Sequence, residues 1–266
     1  MENTTWQKQI PDKPLFPNML WERPENKRSQ GKLLIVGGNS GGFRAPALAF
    51  GAALAAGIGV ARVILPDSTR KVLGKSFVEA EFAPSTPSGS FARSSLAQIL
   101  EAAERSDGVL LAGDFGRNSE TAILLESLAK KYDGQLSAAQ DSIDYFLNPN
   151  STLLRRDNSA LVINLGKLQK LAKNNRPSTP ILHNMNLMEL VTTLADWSSS
   201  SPIIIGTKHA DNLIVACGGK VSTTPQATES DWQIELAAYV SVWWLQQPKK
   251  LFEALTTALY EYRMKN

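Results

Sequence analysis

Residues 37–42 read GGNSGG, directly after the apolar run LLIV and directly before FRAPALAF. Backbone without side chains, placed between a strand and a helix, can offer N–H groups to a phosphate or carboxylate. Three chemistries use such a loop, and each demands its own partners. A P-loop needs Lys and Ser/Thr after the second glycine of GxxxxG, but Phe43 and Arg44 stand there, and the dinucleotide fingerprint GxGxxG is absent. A nucleophile elbow, GxSxG, is spelled by Gly38 to Gly42 around Ser40, with His183 and His209 as the two histidines of the chain. An elbow starts its helix at the serine, whereas Pro46 suits a helix beginning several residues later. The expected role of the glycines is therefore close packing of helix on sheet. The small residues Ala45, Ala47, Ala49, Gly51, Ala52, Ala53, Ala55 and Ala56 support this.

The elements that must position this loop follow a βαβ rhythm. Short apolar runs at 33–36, 60–65, 109–111, 161–163, 203–205 and 213–216 are expected as strands covered on both faces. Helical patterns occupy 46–56, 92–105, 119–132, 186–196, 231–246 and 248–263. Runs at 33–36 and 60–65, joined by the 46–56 helix, should lie side by side and parallel. The expected fold is a three-layer α/β/α sandwich with a mainly parallel central sheet, formed by residues 31–266 as one domain. The proline-rich segment 1–30 carries Trp6 and Trp21 and reads as an arm that wraps the body or reaches a neighbouring subunit. Ser198 to Ser201 reads as a short polar linker.

Composition narrows the function classes. The chain has 266 residues, 43% apolar and 20% charged, enough for a sizeable core. A net charge of +3, from 28 basic and 25 acidic residues, makes no basic stripe for nucleic acid. Cys217 is the single cysteine, so no internal disulfide forms and a reducing cytoplasm fits. No metal site is expected from two His and one Cys. The start lacks the apolar core of a signal peptide, and no membrane span is expected.

The order strand, GG, variable turn, AP, alanine-rich helix, GxG, strand resembles the opening of the NAD(P)H-hydrate dehydratases, members of the ribokinase-like superfamily. Gly37, Gly38 and Asn39, then Arg44, Ala45 and Pro46, then residues 52–59 (AALAAGIG) carry the resemblance, which continues to about Val221. It implies repair of hydrated NAD(P)H with ADP or ATP and Mg²⁺, the hydrate hydroxyl being phosphorylated and then eliminated. It also implies Gly38, Asn39, Ser40, Asp141 and Asn164 as substrate-binding residues, Lys208, Thr228 and Ser230 as nucleotide-binding residues, and Asp231 as catalytic base at a helix start.

Departures from the family pattern fall on polar positions. GPGLGR appears as residues 112–117, AGDFGR, where Asp114 is expected to repel phosphate. DAD appears as Ala139, Gln140, Asp141, and TPHPGEF as residues 162–168, VINLGKL, with Asn164 for the histidine and Lys167 for the glutamate. Gly206 stands where a lysine is expected, and Lys208 follows two residues later. GTGD becomes Thr228, Glu229, Ser230, Asp231.

Each of these residues also has a plainer role. Asp231 is expected to cap its helix. His183 and His209 read as satisfied surface or core residues. Trp232, Trp243 and Trp244 read as core or subunit contact, and Lys167, Lys170 and Lys173 as a solvated helix flank. Two further readings therefore stand beside the dehydratase: an inactive ribokinase-like binding or scaffold protein, expected to bind nucleotide weakly or not at all, and a small-molecule kinase. A homo-oligomer is expected.

Overall fold

The structure is a computed structural model that describes residues 5–73, 77–148, 151–175, 179–226 and 231–265. Its frame is one ten-stranded sheet. In chain order the strands are β1 (Trp6–Lys8), β2 (Lys32–Gly37), β3 (Val60–Pro66), β4 (Ala80–Ala83), β5 (Gly108–Gly113), β6 (Gln135–Ala139), β7 (Ser159–Val162), β8 (Ile204–His209), β9 (Asn212–Cys217) and β10 (Lys220–Pro225). They lie in the order β1-β10-β9-β8-β7-β6-β5-β2-β3-β4. Every neighbouring pair is parallel except the two that β9 makes, with β8 and β10. As expected, β2 and β3 are parallel neighbours.

The helices are α1 (Pro17–Trp21), α2 (Arg44–Ala55), α3 (Arg70–Leu73), α4 (Leu96–Glu104), α5 (Ser119–Lys131), α6 (Leu165–Asn175), α7 (Leu187–Ser200), α8 (Trp232–Gln246) and α9 (Leu251–Lys265). Alternate side chains of the strands feed two cores. Leu34, Val36, Leu111 and Leu161 pack with α4 to α7, whereas Leu33, Ile35, Leu110 and Val162 pack with α2, α8 and α9. Burial on both faces is why these strands read as unbroken apolar runs.

Several expectations are corrected. The segment 92–105 divides into a 3₁₀ turn, Arg93–Ser95, and the shorter α4. Ser198, Ser199 and Ser200 are no linker but the last residues of α7, with Ser198 buried and its hydroxyl bonded to Ala195 O. Strands β1, β4, β6 and β10 escape a periodicity reading, since they are short or, like QLSAA and KVSTTP, low in large apolar residues. Trp243 and Trp244 are buried beneath α9 and Trp232 packs on the same core.

Residues 5–30 run over the body. β1 extends the sheet beside β10, and Arg23 bonds to Gln246 and pairs with Glu261 at 2.9 Å while lying 4.9 Å from the centre of the Trp243 ring. Among the described residues no helix is long and apolar enough to cross a membrane.

Candidate functional site

The chain runs from β2 to β3 and β4 on one side of β2, then returns to β5 on the other side. Loops leaving β2 and β5 at their carboxyl ends therefore part in opposite directions, and crevices of that kind are where open α/β sheets place ligands. Gly38 and Asn39 follow β2, Asp114 follows β5, Gln140 and Asp141 follow β6, and Asn164 follows β7. The topology thus gathers the residues 38–40, 141 and 164 at one edge of the sheet.

The glycine loop is closed upon itself. Gly38 N–H donates to Gly113 O (2.9 Å), Asn39 N–H to Gly42 O (2.8 Å), Ser40 N–H to Gly89 O (2.9 Å), Gly41 N–H to Asn39 Oδ1 (2.6 Å) and Gly42 N–H to Asn39 O (3.1 Å). The expectation of open N–H groups is corrected: the loop has spent them on its own fold. Ser40 donates its hydroxyl to Ser88 O at 3.1 Å. His209, four strands from β2 in the sheet, stands roughly 19 Å away at the usual strand spacing. His183 is exposed before α7, so no elbow triad forms around Ser40. Packing does demand a glycine at 37, where a Cβ would lie 2.5 Å from Gly113 O, but not at Gly51, where it would meet nothing within 4 Å.

Asp114 is also engaged within the protein. Its carboxylate accepts from Ala45 N–H in the first turn of α2 at 2.7 Å, and its carbonyl accepts from Asn39 Nδ2 at 2.5 Å. An acid on this loop is a built-in anion for α2. Asp114 and Gln140 both hold φ in the left-handed region, at 59° and 52°. Such backbone is costly for residues with side chains and concentrates at functional sites. Asp141 accepts from Gly116 N–H at 3.0 Å through Oδ2, while its buried Oδ1 has no hydrogen-bond partner among the described residues. Burial holds its carboxyl above the usual carboxylate range, with the Asp114 charge adding to the rise, the Gly116 and Phe115 N–H groups and Lys167 opposing it.

Asn164 caps α6 by accepting from Lys167 N–H at 2.9 Å. With Lys167, Lys170, Lys173 and Ile181 it lines an open groove of about 830 Å³ on the α6 flank, in which Lys170 and Lys173 stay exposed, as expected of a solvated helix flank. Lys167 Nζ is bound to Gln140 O (2.7 Å) and to Asp144 (2.9 Å). Two residues along a strand return to the same face, so Lys208 shares the α8 side of β8 with Gly206, one pleat nearer the edge. Asp231 stands at the N-cap position of α8 yet makes no side-chain cap, correcting the capping expectation. Its carboxylate instead pairs with Arg44, the first residue of α2, at 2.5 Å. Thr228, Glu229 and Ser230 lie outside the described residues.

Sequence reasoning missed Arg44, Asp114 as a helix anchor, and Gln140. Arg44 carried a signal only in hindsight, as the first charge at the start of an otherwise small and apolar helix. Among the described residues no group of three His, Cys, Asp or Glu could hold a metal ion.

No family model matches the chain. Over 97 residues it is 35% identical to a bifunctional NAD(P)H-hydrate repair enzyme of Methanothermobacter thermautotrophicus, a stretch covering 36% of this chain and 18% of that enzyme. The match thus spans under a fifth of the length of that relative. In fold it is similar to a ribokinase-like superfamily protein of Enterococcus faecalis, with a TM-score of 0.73, 15% identity, and coverage of 99% of this chain and 88% of the other. It is similar also to the ADP/ATP-dependent NAD(P)H-hydrate dehydratase of Bacillus subtilis co-crystallised with ATP/Mg²⁺ and soaked with CoA, with a TM-score of 0.63, 12% identity, and coverage of 95% and 88%. The chain has a ribokinase-like α/β fold, and it is similar to NAD(P)H-hydrate repair enzymes in sequence over one local stretch and in fold over nearly its whole length.

Proposed function

We propose that this protein is an NAD(P)H-hydrate dehydratase-like enzyme, binding hydrated NAD(P)H at the β2–β5 crevice and using ADP or ATP with Mg²⁺ as phosphoryl donor. The observation that carries this reading is Asp231. It stands where a helix cap belongs, but its carboxylate is turned to Arg44 and not consumed by its own helix. Asp231 takes the proton that the hydrate hydroxyl gives up as the phosphoryl group is transferred to that oxygen. Loss of phosphate and of the neighbouring ring proton then restores the C=C bond. Asn39 and Asp141 orient the substrate, the unpartnered Asp141 Oδ1 being suited to accept a ligand donor. The nucleotide supplies the phosphoryl group and its metal. With this reading go a cytoplasmic location and a single body, residues 31–266, preceded by the 1–30 arm.

A second reading, a ribokinase-like binding protein without catalysis, is favoured by the glycine loop, whose N–H groups at 38–42 are all engaged internally. Recovery of reduced-nicotinamide absorbance from the hydrate, in the presence of ADP or ATP with Mg²⁺, separates the two. Turnover that falls about 10²–10⁴-fold in Asp231→Asn supports the enzyme. Saturable hydrate binding with no turnover supports the second reading, and neither signal refutes both.

A further inference from the structure

A phosphoryl group bound in this crevice cannot be held by the glycine loop, because the N–H groups of residues 38–42 already have acceptors within the protein. Cationic side chains beside the loop are the next donors to consider. Lys167 is engaged by Gln140 O and Asp144. Arg44 differs: its side chain is 71% exposed, and one of its nitrogens bonds to Asp231, itself only 17% exposed. A guanidinium has five N–H donors in a rigid fork that matches phosphate oxygens bidentately. Asp231 takes one of them, and the contact fixes the planar group where α2 and α8 begin, 187 residues apart in the chain.

We infer that Arg44 is the phosphoryl-gripping, specificity-determining residue of this site, bridging Asp231 and a terminal phosphate of a nucleoside di- or triphosphate. The inference rests on the nucleotide-dependent reading above. A bridging cation has a distinctive consequence. Removing it deletes the donors and also leaves the Asp231 charge facing the incoming anion, whereas removing the Asp231 charge relieves repulsion. The two single variants should therefore move affinity in opposite directions.

The test is an equilibrium titration of the full chain with ADP, and with adenosine as the probe lacking phosphate. Arg44→Ala should weaken ADP binding at least 10-fold, Arg44→Lys should recover part of the loss without the bidentate fork, and Asp231→Asn should tighten ADP binding several-fold. Adenosine affinity should not change, and the melting temperature of Arg44→Ala should stay within about 2 °C of the parent, as for a largely exposed pair. Equal ADP affinity in Arg44→Ala and the parent overturns the inference, as does a parent that binds no ADP at millimolar concentration. Hydrate repair is read separately: repair absent with an Arg44-dependent ADP affinity sinks the enzyme and leaves Arg44 standing. Repair present with an unchanged KM for ADP in Arg44→Ala does the reverse.

Discussion

Replacing Gly37 with alanine tests whether the glycines of the first loop are there for packing. Gly37 ends β2 in ordinary strand backbone, so the substitution strains no torsion; what it meets is the neighbouring chain. The new Cβ would lie 2.5 Å from Gly113 O, 3.4 Å from Gly113 N and 3.4 Å from Pro46 Cδ. Relief requires parting β2 and β5 by nearly 1 Å, because ordinary contact with the carbonyl oxygen begins near 3.4 Å. Overpacking of that kind costs about 1–3 kcal/mol. The same movement pulls on the Gly38 N–H to Gly113 O bond, worth about 1 kcal/mol. We expect a loss of about 2–4 kcal/mol, which at about 2 °C per kcal/mol for a chain of this size lowers the melting temperature by roughly 4–8 °C. Gly51→Ala is the internal control: it lies within α2 with nothing inside 4 Å of the added methyl. It should stabilise by about 0.5–1 kcal/mol through helix propensity. Both are read by chemical and thermal denaturation. A Gly37→Ala protein within 0.5 kcal/mol of the parent, on the order of ordinary surface noise, would refute the packing account.

Burial raises the Asp141 pKa above its ordinary 3.8, so the folded protein holds that proton more tightly than the unfolded chain does. Its contribution to stability is full below the ordinary carboxylate range and is lost as pH rises through the raised value. Asp141→Asn keeps an acceptor for Gly116 and cannot ionise, so its melting temperature relative to the parent should climb from about pH 4 to pH 7; a difference that stays flat across this range contradicts the assignment. Cys217 is buried, which pushes its thiol up to about 12, with the Glu253 charge adding to the rise. A thiol reagent at about pH 8 should leave the native protein unlabelled and modify one thiol per chain in denaturant; fast native labelling would show the β9 end to be open. Trp243 is fully buried, donates to Glu261 at 3.0 Å and lies against Arg23. Trp243→Ala should cost about 3–5 kcal/mol and speed proteolysis within residues 5–30, whose Arg23 it helps to hold; a loss under about 1 kcal/mol, or no change in cleavage, would count against this anchoring.

Strands buried on both faces and helices long enough to join them were legible in the chain because the requirement is local. LLIV and VARVIL must hide apolar atoms on both sides of a sheet, and the alanine-rich segment between them leaves room for close approach. That was enough to place β2 beside β3 and to specify the α/β/α class. Short or polar strands such as β6 and β10 were not legible, since their burial is conferred by neighbours distant in sequence. The candidate site could be named as a set of positions and not as chemistry. The family resemblance pointed to the loop after β2, Asp141, Asn164 and Asp231, but hydrogen-bonding capacity cannot be counted until acceptors arrive from elsewhere in the chain. Gly89 and Gly113 close the glycine loop, Ala45 takes the Asp114 carboxylate, and Arg44 reaches across to Asp231. A sequence names donors and charges; only the tertiary structure, by bringing together residues up to 187 positions apart, decided which of them are paired with one another.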